Sequence, residues 1–205
     1  MWWRELQRQP DDLRRGATST GVHVDPAADV SAAAVLDASR GAIVIGARTK
    51  VCAGAHIEGP VVIGSDCLIG NLAMIRGATS IGDGTRIGFA AEIKNALIDE
   101  RVSIGPQCFI ADSKIECDAY LGAQVRTSNH RLDKRTVEVI VDGQRVDTGM
   151  EKLGCLIGAR AALGIQVILL PGREVAPDSI YAPRITVEKN LPTGRYRVAQ
   201  AIESY

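Results

Sequence analysis

Aromatic residues are scarce in this 205-residue chain: two Trp, four Tyr and two Phe, 4% of the total. A core with so few rings must be filled by something regular and aliphatic. Net charge is lacking too, since 24 Lys and Arg balance 24 Asp and Glu. That balance argues against a broad electrostatic footprint for nucleic acid or an anionic membrane. There is no run of eighteen apolar residues, and Met1-Trp2-Trp3-Arg4-Glu5 has no apolar signal segment, so the sequence predicts a soluble, cytoplasmic protein. Five cysteines with no C-x-x-C pair suit a reducing compartment better than a disulfide scaffold. What is present is a globular composition, 46% hydrophobic and 23% charged, with 21 glycines.

The hydrophobic residues are ordered with a period of six. Ile45, Val51, Ile57, Ile63, Ile69, Ile75, Ile81, Ile87 and Ile93 follow one another at that spacing. Aliphatics of this type make up about a quarter of the chain, so nine successive hits would arise by chance roughly a few times in a million. Four positions after each comes a small or modest residue (Thr49, Ala55, Val61, Cys67, Ala73, Thr79, Thr85, Ala91). Glycine often follows the aliphatic directly, as at Gly46, Gly64, Gly70, Gly82 and Gly88, where it is expected to permit a tight corner. The phase slips by one residue at Ile98 and again at Ile115, then continues at Leu121 and, after an interruption, from Ile157 to Val187. Val24, Val30 and Leu36 form a weaker prelude.

A period of six fits neither a helix nor a simple strand. It fits a short strand plus a corner, three hexads closing an 18-residue triangular coil, with coils stacked at roughly 4.8 Å. The expected fold is an all-β solenoid, a parallel β-helix over 21–190. Its ends must be covered. Trp2–Arg15, within a cap of residues 1–20, and a tail or helix over 191–205 are the expected caps, with both Trp residues serving cap packing. Residues 126–152 interrupt the hexads. There Val137, Val139 and Val141 alternate, Asp142-Gly143 turns, and Gln144–Thr148 returns, which predicts a β-hairpin leaving the coil. Such a loop either carries function or grips a neighbouring subunit.

Residues eighteen apart sit above one another, so Arg76 and Lys94 belong to one column on adjacent coils. Two cations about 5 Å apart repel unless an anion lies beside them, which points to a phosphate or carboxylate ligand. The alternative is a pair of solvated charges flanking Glu58 and Glu92. Only three histidines occur. His130 lies inside the extruded loop and is the candidate general base, with Asp133 as its orienter or substitute. His23 and His56 read as structural or solvent-exposed. Cys67, Cys108 and Cys155 occupy the small inward slot and read as core, whereas Cys52 and Cys117 read as outward-facing. No metal is expected.

The hexads resemble the left-handed β-helix of the hexapeptide-repeat acyltransferases. The left hand is taken from that family, since the usual crossover rule would give the opposite one. Gly88–Asn95, Thr127–Thr136, Asp147–Gly154 and Leu163–Gln166 leading into Leu170-Pro171-Gly172 resemble the acetyltransferase domain of bifunctional glucosamine-1-phosphate acetyltransferase/uridylyltransferases and archaeal sugar-1-phosphate nucleotidylyltransferases. The resemblance covers roughly Leu36 to Val187. The ~40 residues ahead of the regular repeat are too few for the nucleotidyltransferase domain of those proteins.

The resemblance implies a homotrimer with a site between subunits, using acetyl-CoA or another acyl-CoA to modify an amine or hydroxyl of a sugar phosphate, nucleotide sugar or similar small anionic acceptor. It places the phosphate-binding cations at Arg76 and Lys94, an acceptor-orienting amide at Asn129 and a loop cation at Arg135. Ala159 and Pro177 fall where coenzyme A is held by backbone groups, with Arg195 or Arg197 as partners for its phosphates. The family's catalytic histidine aligns with Pro106, which cannot be a general base. A substrate-binding tyrosine becomes Phe109, and a loop-facing asparagine becomes Tyr120. A solenoid that keeps the anion column without that base is also compatible with a non-catalytic phosphosugar-binding or trimerising regulatory subunit. A γ-class carbonic anhydrase shares the repeat but needs three histidines around zinc, two of them close in sequence, and the lack of an H-x4-H pair argues against it.

Overall fold

The computed structural model describes residues 1–16 and 21–199, with side-chain surroundings for 1–9 and 21–199. The chain winds as a left-handed parallel β-helix of about ten turns whose strands form three flat sheets of eight, nine and eight strands. The first face contains Val22–Val24, Ile43–Ile45, Val61–Ile63, Thr79–Ile81, Leu97–Ile98, Lys114–Ile115, Leu156–Ile157 and Glu174–Val175. The second runs from Asp29–Val30 to Arg195–Tyr196, and the third from Val35–Asp37 to Thr186–Val187.

The expected inward positions are the core. Ile63, Ile81, Ile98, Ile115 and Ile157 stack in register on the first face. Ile57, Ile75, Ile93 and Ile110 stack on the third. All are buried, as are the small residues of the regular hexads, Thr49, Ala55, Val61, Cys67, Ala73, Thr79, Thr85 and Ala91. Each phase slip leaves the pairing intact because the missing residue is removed from a corner: Ile81 pairs Ile98, and Ile98 pairs Ile115.

The corners differ from the sequence expectation. Gly46, Gly70 and Gly88 are not in the left-handed region; a Cβ on Gly46 would stand 2.6 Å from the Gly64 carbonyl carbon, so the requirement is close stacking of coils. The left-handed residue comes two positions later, and it is usually not glycine. Arg48, Asp66, Arg101, Asp118, Arg160 and Asp178 take φ of 55–59° at the corner between the first and second faces. This conformation costs about 1–2 kcal/mol per residue. The side chains stack in alternating charge, with Arg48–Asp66, Arg101–Asp118 and Arg160–Asp178 all hydrogen-bonded pairs. At the next corner Gln107, Gln124 and Gln166 form an amide ladder, with bonds of 2.9 and 2.8 Å.

The N-terminal helix, Trp2–Gly16, forms, but it lies along the flank of the solenoid instead of over its end. Trp2 Nε1 donates to Glu174 Oε1 at 2.8 Å, Glu5 Oε2 meets Lys114 Nζ at 2.7 Å, and Gln9 Nε2 donates to the Ala96 carbonyl at 3.0 Å. These partners descend the first face, from the Glu174–Val175 strand past Leu156–Ile157 to Lys114–Ile115 and the corner before Leu97–Ile98. Trp2, Trp3 and Leu6 bury themselves against Val137, Val139 and Leu153, which makes a second core joining helix, hairpin and flank. At the far end the chain does not form a helix over its described residues. Arg195–Tyr196 adds a strand to the second face, and Tyr196 packs on buried Tyr181 at 4.9 Å. Residues 200–205 of the expected tail lie outside the described residues. No described helix is long and apolar enough to cross a membrane.

Candidate functional site

The third face presents two outward columns. One carries His56, Met74, Glu92, Phe109 and Arg126; the other carries Asp37, Glu58, Arg76, Lys94 and Ala111. Arg76 and Lys94 are register partners, as the eighteen-residue arithmetic requires. The anions beside them, however, belong to the chain. Arg76 donates through Nε and Nη2 to Glu92 Oε1 at 2.9 and 2.7 Å. Lys94 Nζ lies 3.7 Å from Asp112 Oδ2. The inference that two stacked cations demand an external anion is therefore corrected: Glu92 and Asp112 already lower the repulsion.

Asp112 was not anticipated. It sits at the shortened corner between the third and first faces, with φ of 49°, one coil after Asn95 at 46°. Its carboxylate is almost fully buried and accepts from Asn95 Nδ2 at 3.1 Å and from Asn129 Nδ2 at 2.5 Å. Its carbonyl accepts from Gly154 N at 2.8 Å, where the chain rejoins the coil. The signal that could have found it is the phase slip, because a corner one residue short places Asn95 and Asp112 in one stack.

The loop leaves after Thr127, which fills an inward slot and accepts a bond from Ala111 N at 2.8 Å. Its neck is closed by Leu153 N donating to the Asn129 carbonyl and by a bridge between His130 and Lys152. The expected hairpin forms from Glu138–Val141 and Gln144–Asp147. His130 is exposed, and its Nδ1 lies 3.4 Å from the Glu151 carbonyl. Since a carbonyl only accepts, a hydrogen bond at this contact requires a proton on Nδ1. His130 borders a cavity of about 880 Å³ with Ser128, Arg131, Leu170, Arg173 and Lys189.

Other anticipated residues are more dispersed. Asp133 turns to Arg131, whose Nε and Nη2 donate to it at 2.9 and 2.5 Å. Those hydrogen bonds, led by the guanidinium, hold its carboxyl far below the usual carboxylate range, so it is a poor base near neutrality and does not orient His130. Arg135 stands 4.0 Å from Asp133 with its side chain 81% exposed, beside a separate recess with Thr136 and Asp147. Phe109 is half-buried on the third face, whereas Tyr120 is exposed on the second, paired with Ser103 and Ala162. Ala159 and Pro177 share a corner one coil apart, but the Ala159 N–H is already donated to Glu116 Oε2 at 3.0 Å. Arg195 and Arg197 are exposed at the last coil, and Pro106 is exposed at its corner. The three cysteines expected in the core are buried.

Comparison with known proteins agrees with this architecture. Residues 21–127 match the GLGC left-handed parallel beta-helix domain. The chain is 55% identical over 168 residues, 82% of its own length and 73% of the relative's, to the "Uncharacterized acetyltransferase YaiX" of Escherichia coli O6:K15:H31. It is 32% identical over 107 residues to the bifunctional sugar-1-phosphate nucleotidylyltransferase/acetyltransferase of Sulfurisphaera tokodaii, covering 52% of this chain and 27% of that protein. It is 34% identical over 137 residues to the bifunctional protein GlmU of Methanococcus vannielii, covering 67% and 28%. Stacked hexads, left-handed corners and this similarity together show that the chain belongs to the hexapeptide-repeat family of left-handed parallel β-helix proteins that includes the GLGC domain and the acetyltransferase YaiX.

Proposed function

We propose that this protein is an acyltransferase that moves an acetyl or other acyl group from coenzyme A to an amine or hydroxyl of a sugar phosphate, nucleotide sugar or similar small anionic acceptor. The observation that carries the reading is the His130-bordered cavity, whose neck is tied through Asn129 and Asp112 to Lys94 on the third face. A volume of about 880 Å³ is within the size range of small-molecule sites. The relatives named acetyltransferases supply the reaction class.

In the proposed step the acceptor's nitrogen or oxygen attacks the thioester carbonyl while His130 Nε2 takes its proton. The new bond to carbon forms as the carbon–sulfur bond breaks, and the coenzyme A thiolate leaves and is reprotonated. Arg76, Lys94 and Arg135 would attract the acceptor's anionic groups. Asn129, its amide fixed by Asp112, would orient the acceptor beside Phe109, and Tyr120 would contribute from a neighbouring face in an assembly. The occupied N–H of Ala159 shifts the burden of donor binding to the backbone near Pro177 and to Arg195 and Arg197. A homotrimer would bring these faces together, and five free cysteines suit a reducing cytoplasm.

One observation favours a second reading: exposed Pro106 stands where the family's histidine is expected, consistent with a binding subunit that has lost chemistry. Thiol release from acetyl-CoA across a panel of amino sugars and their phosphates separates the two. Turnover that falls at least 100-fold in His130→Ala supports the transferase. Tight phosphosugar binding without thiol release supports the binding subunit.

A further inference from the structure

A second group on the third face is used by neither reading. Asp37 and Glu58 stand directly opposite each other on the adjacent strands Val35–Asp37 and His56–Glu58, and His56 lies in the neighbouring column. One ligand atom from each of the three falls within 4.8 Å of the others, and all three are half-buried. Like charges opposed on paired strands destabilise the pairing unless a cation joins them.

Asp37 Oδ1 accepts from the Ser39 backbone N–H at 2.9 Å, which fixes the orientation of its carboxylate. The cation nearest Glu58 is Arg40, with Nη1 3.1 Å from Oε1, but its side chain is 75% exposed. A pair that open contributes about 0–1 kcal/mol and is readily displaced. The His56 imidazole offers a ring nitrogen within 4.8 Å of a carboxylate oxygen of each acid.

The geometry points to a divalent transition-metal site formed by Asp37, His56 and Glu58, one imidazole nitrogen and two carboxylate oxygens. This departs from the sequence expectation of no metal. An imidazole with two carboxylates suits borderline ions such as Zn²⁺, Co²⁺ or Ni²⁺. Metal–ligand bonds of about 2.0–2.2 Å put ligand atoms roughly 3–3.5 Å apart, so the side chains would close by up to about 1.5 Å through rotation. Water or an anionic ligand would take the remaining positions.

The test is calorimetric titration of the full chain with Zn²⁺, beside His56→Ala, Glu58→Gln and Asp37→Asn. The expected result is one site per chain, weakened at least tenfold by each substitution, with unchanged circular dichroism before metal is added. Should His56→Ala fail to fold, the two isosteric carboxylate variants decide. Absence of Zn²⁺ binding by the native chain, or equal affinity in the variants, overturns the site. The result does not depend on whether the protein transfers acyl groups.

Discussion

Asn129 donates its side-chain amide to the Asp112 carboxylate at 2.5 Å, and the same Oδ2 lies 3.7 Å from Lys94 Nζ. This contact ties the neck of the extruded loop to the rigid corner of the solenoid. Asp112→Ala would leave Lys94, whose side chain is only 17% exposed, without its counter-charge and would release Asn95 and Asn129. A stability loss of about 2–4 kcal/mol is expected in urea denaturation. Asp112→Asn keeps an acceptor but removes the charge, so it should lose less.

The corners yield a stabilising substitution. Leu72 takes φ of 57° and is 56% exposed, so it bears the left-handed penalty with little burial in return. Leu72→Gly should raise stability by up to about 1 kcal/mol in thermal or urea unfolding. The ion-paired corner residues should behave differently: Asp66→Ala is expected to leave the unfolding midpoint nearly unchanged, because its pair with Arg48 is largely exposed.

Docking of the N-terminal helix should depend on alkaline pH. Burial alone would lower the Lys114 pKa, but the Glu5 hydrogen bond and the charges of Glu5, Asp99 and Glu116 leave it raised. A raised lysine pKa contributes stability in full below the unfolded value, about 10.4, and loses it as pH climbs through the folded value. Fluorescence of Trp2 and Trp3 should therefore be constant from pH 7 to about 10 and change only above that range. Glu5→Gln should move the change to lower pH.

Thiol reactivity should divide the cysteines. Burial pushes Cys108 up to about 11 and raises Cys67 and Cys155 as well. Cys52 and Cys117 are only partly covered. Titration with a disulfide reagent should find two fast thiols in the native protein and five after unfolding.

The inward columns were legible because hexad position alone decides burial: Ile63, Ile81 and Thr79 are where their spacing puts them. The neighbouring relation of Arg76 and Lys94 was legible for the same reason. Their counter-charges were not. Column arithmetic follows one stack at a time, whereas Glu92 comes from the adjacent column and Asp112 from a corner that the shorter repeat displaces. The two Trp residues advertised a buried stripe without naming its partner, which is the Val137/Val139 face of the hairpin. Likewise, nothing in the spacing of Asp133 and His130 shows that Arg131, between them, takes the carboxylate.

The central claim is that acyl transfer takes place at the loop that carries His130. A crystal structure with coenzyme A tests it most directly. The account predicts the sulfur in the cavity bordered by His130, whether from this chain or from a neighbouring copy, with a path toward Lys94 for the acceptor. Coenzyme A bound with its sulfur on a face remote from His130, or no binding at all, would contradict it.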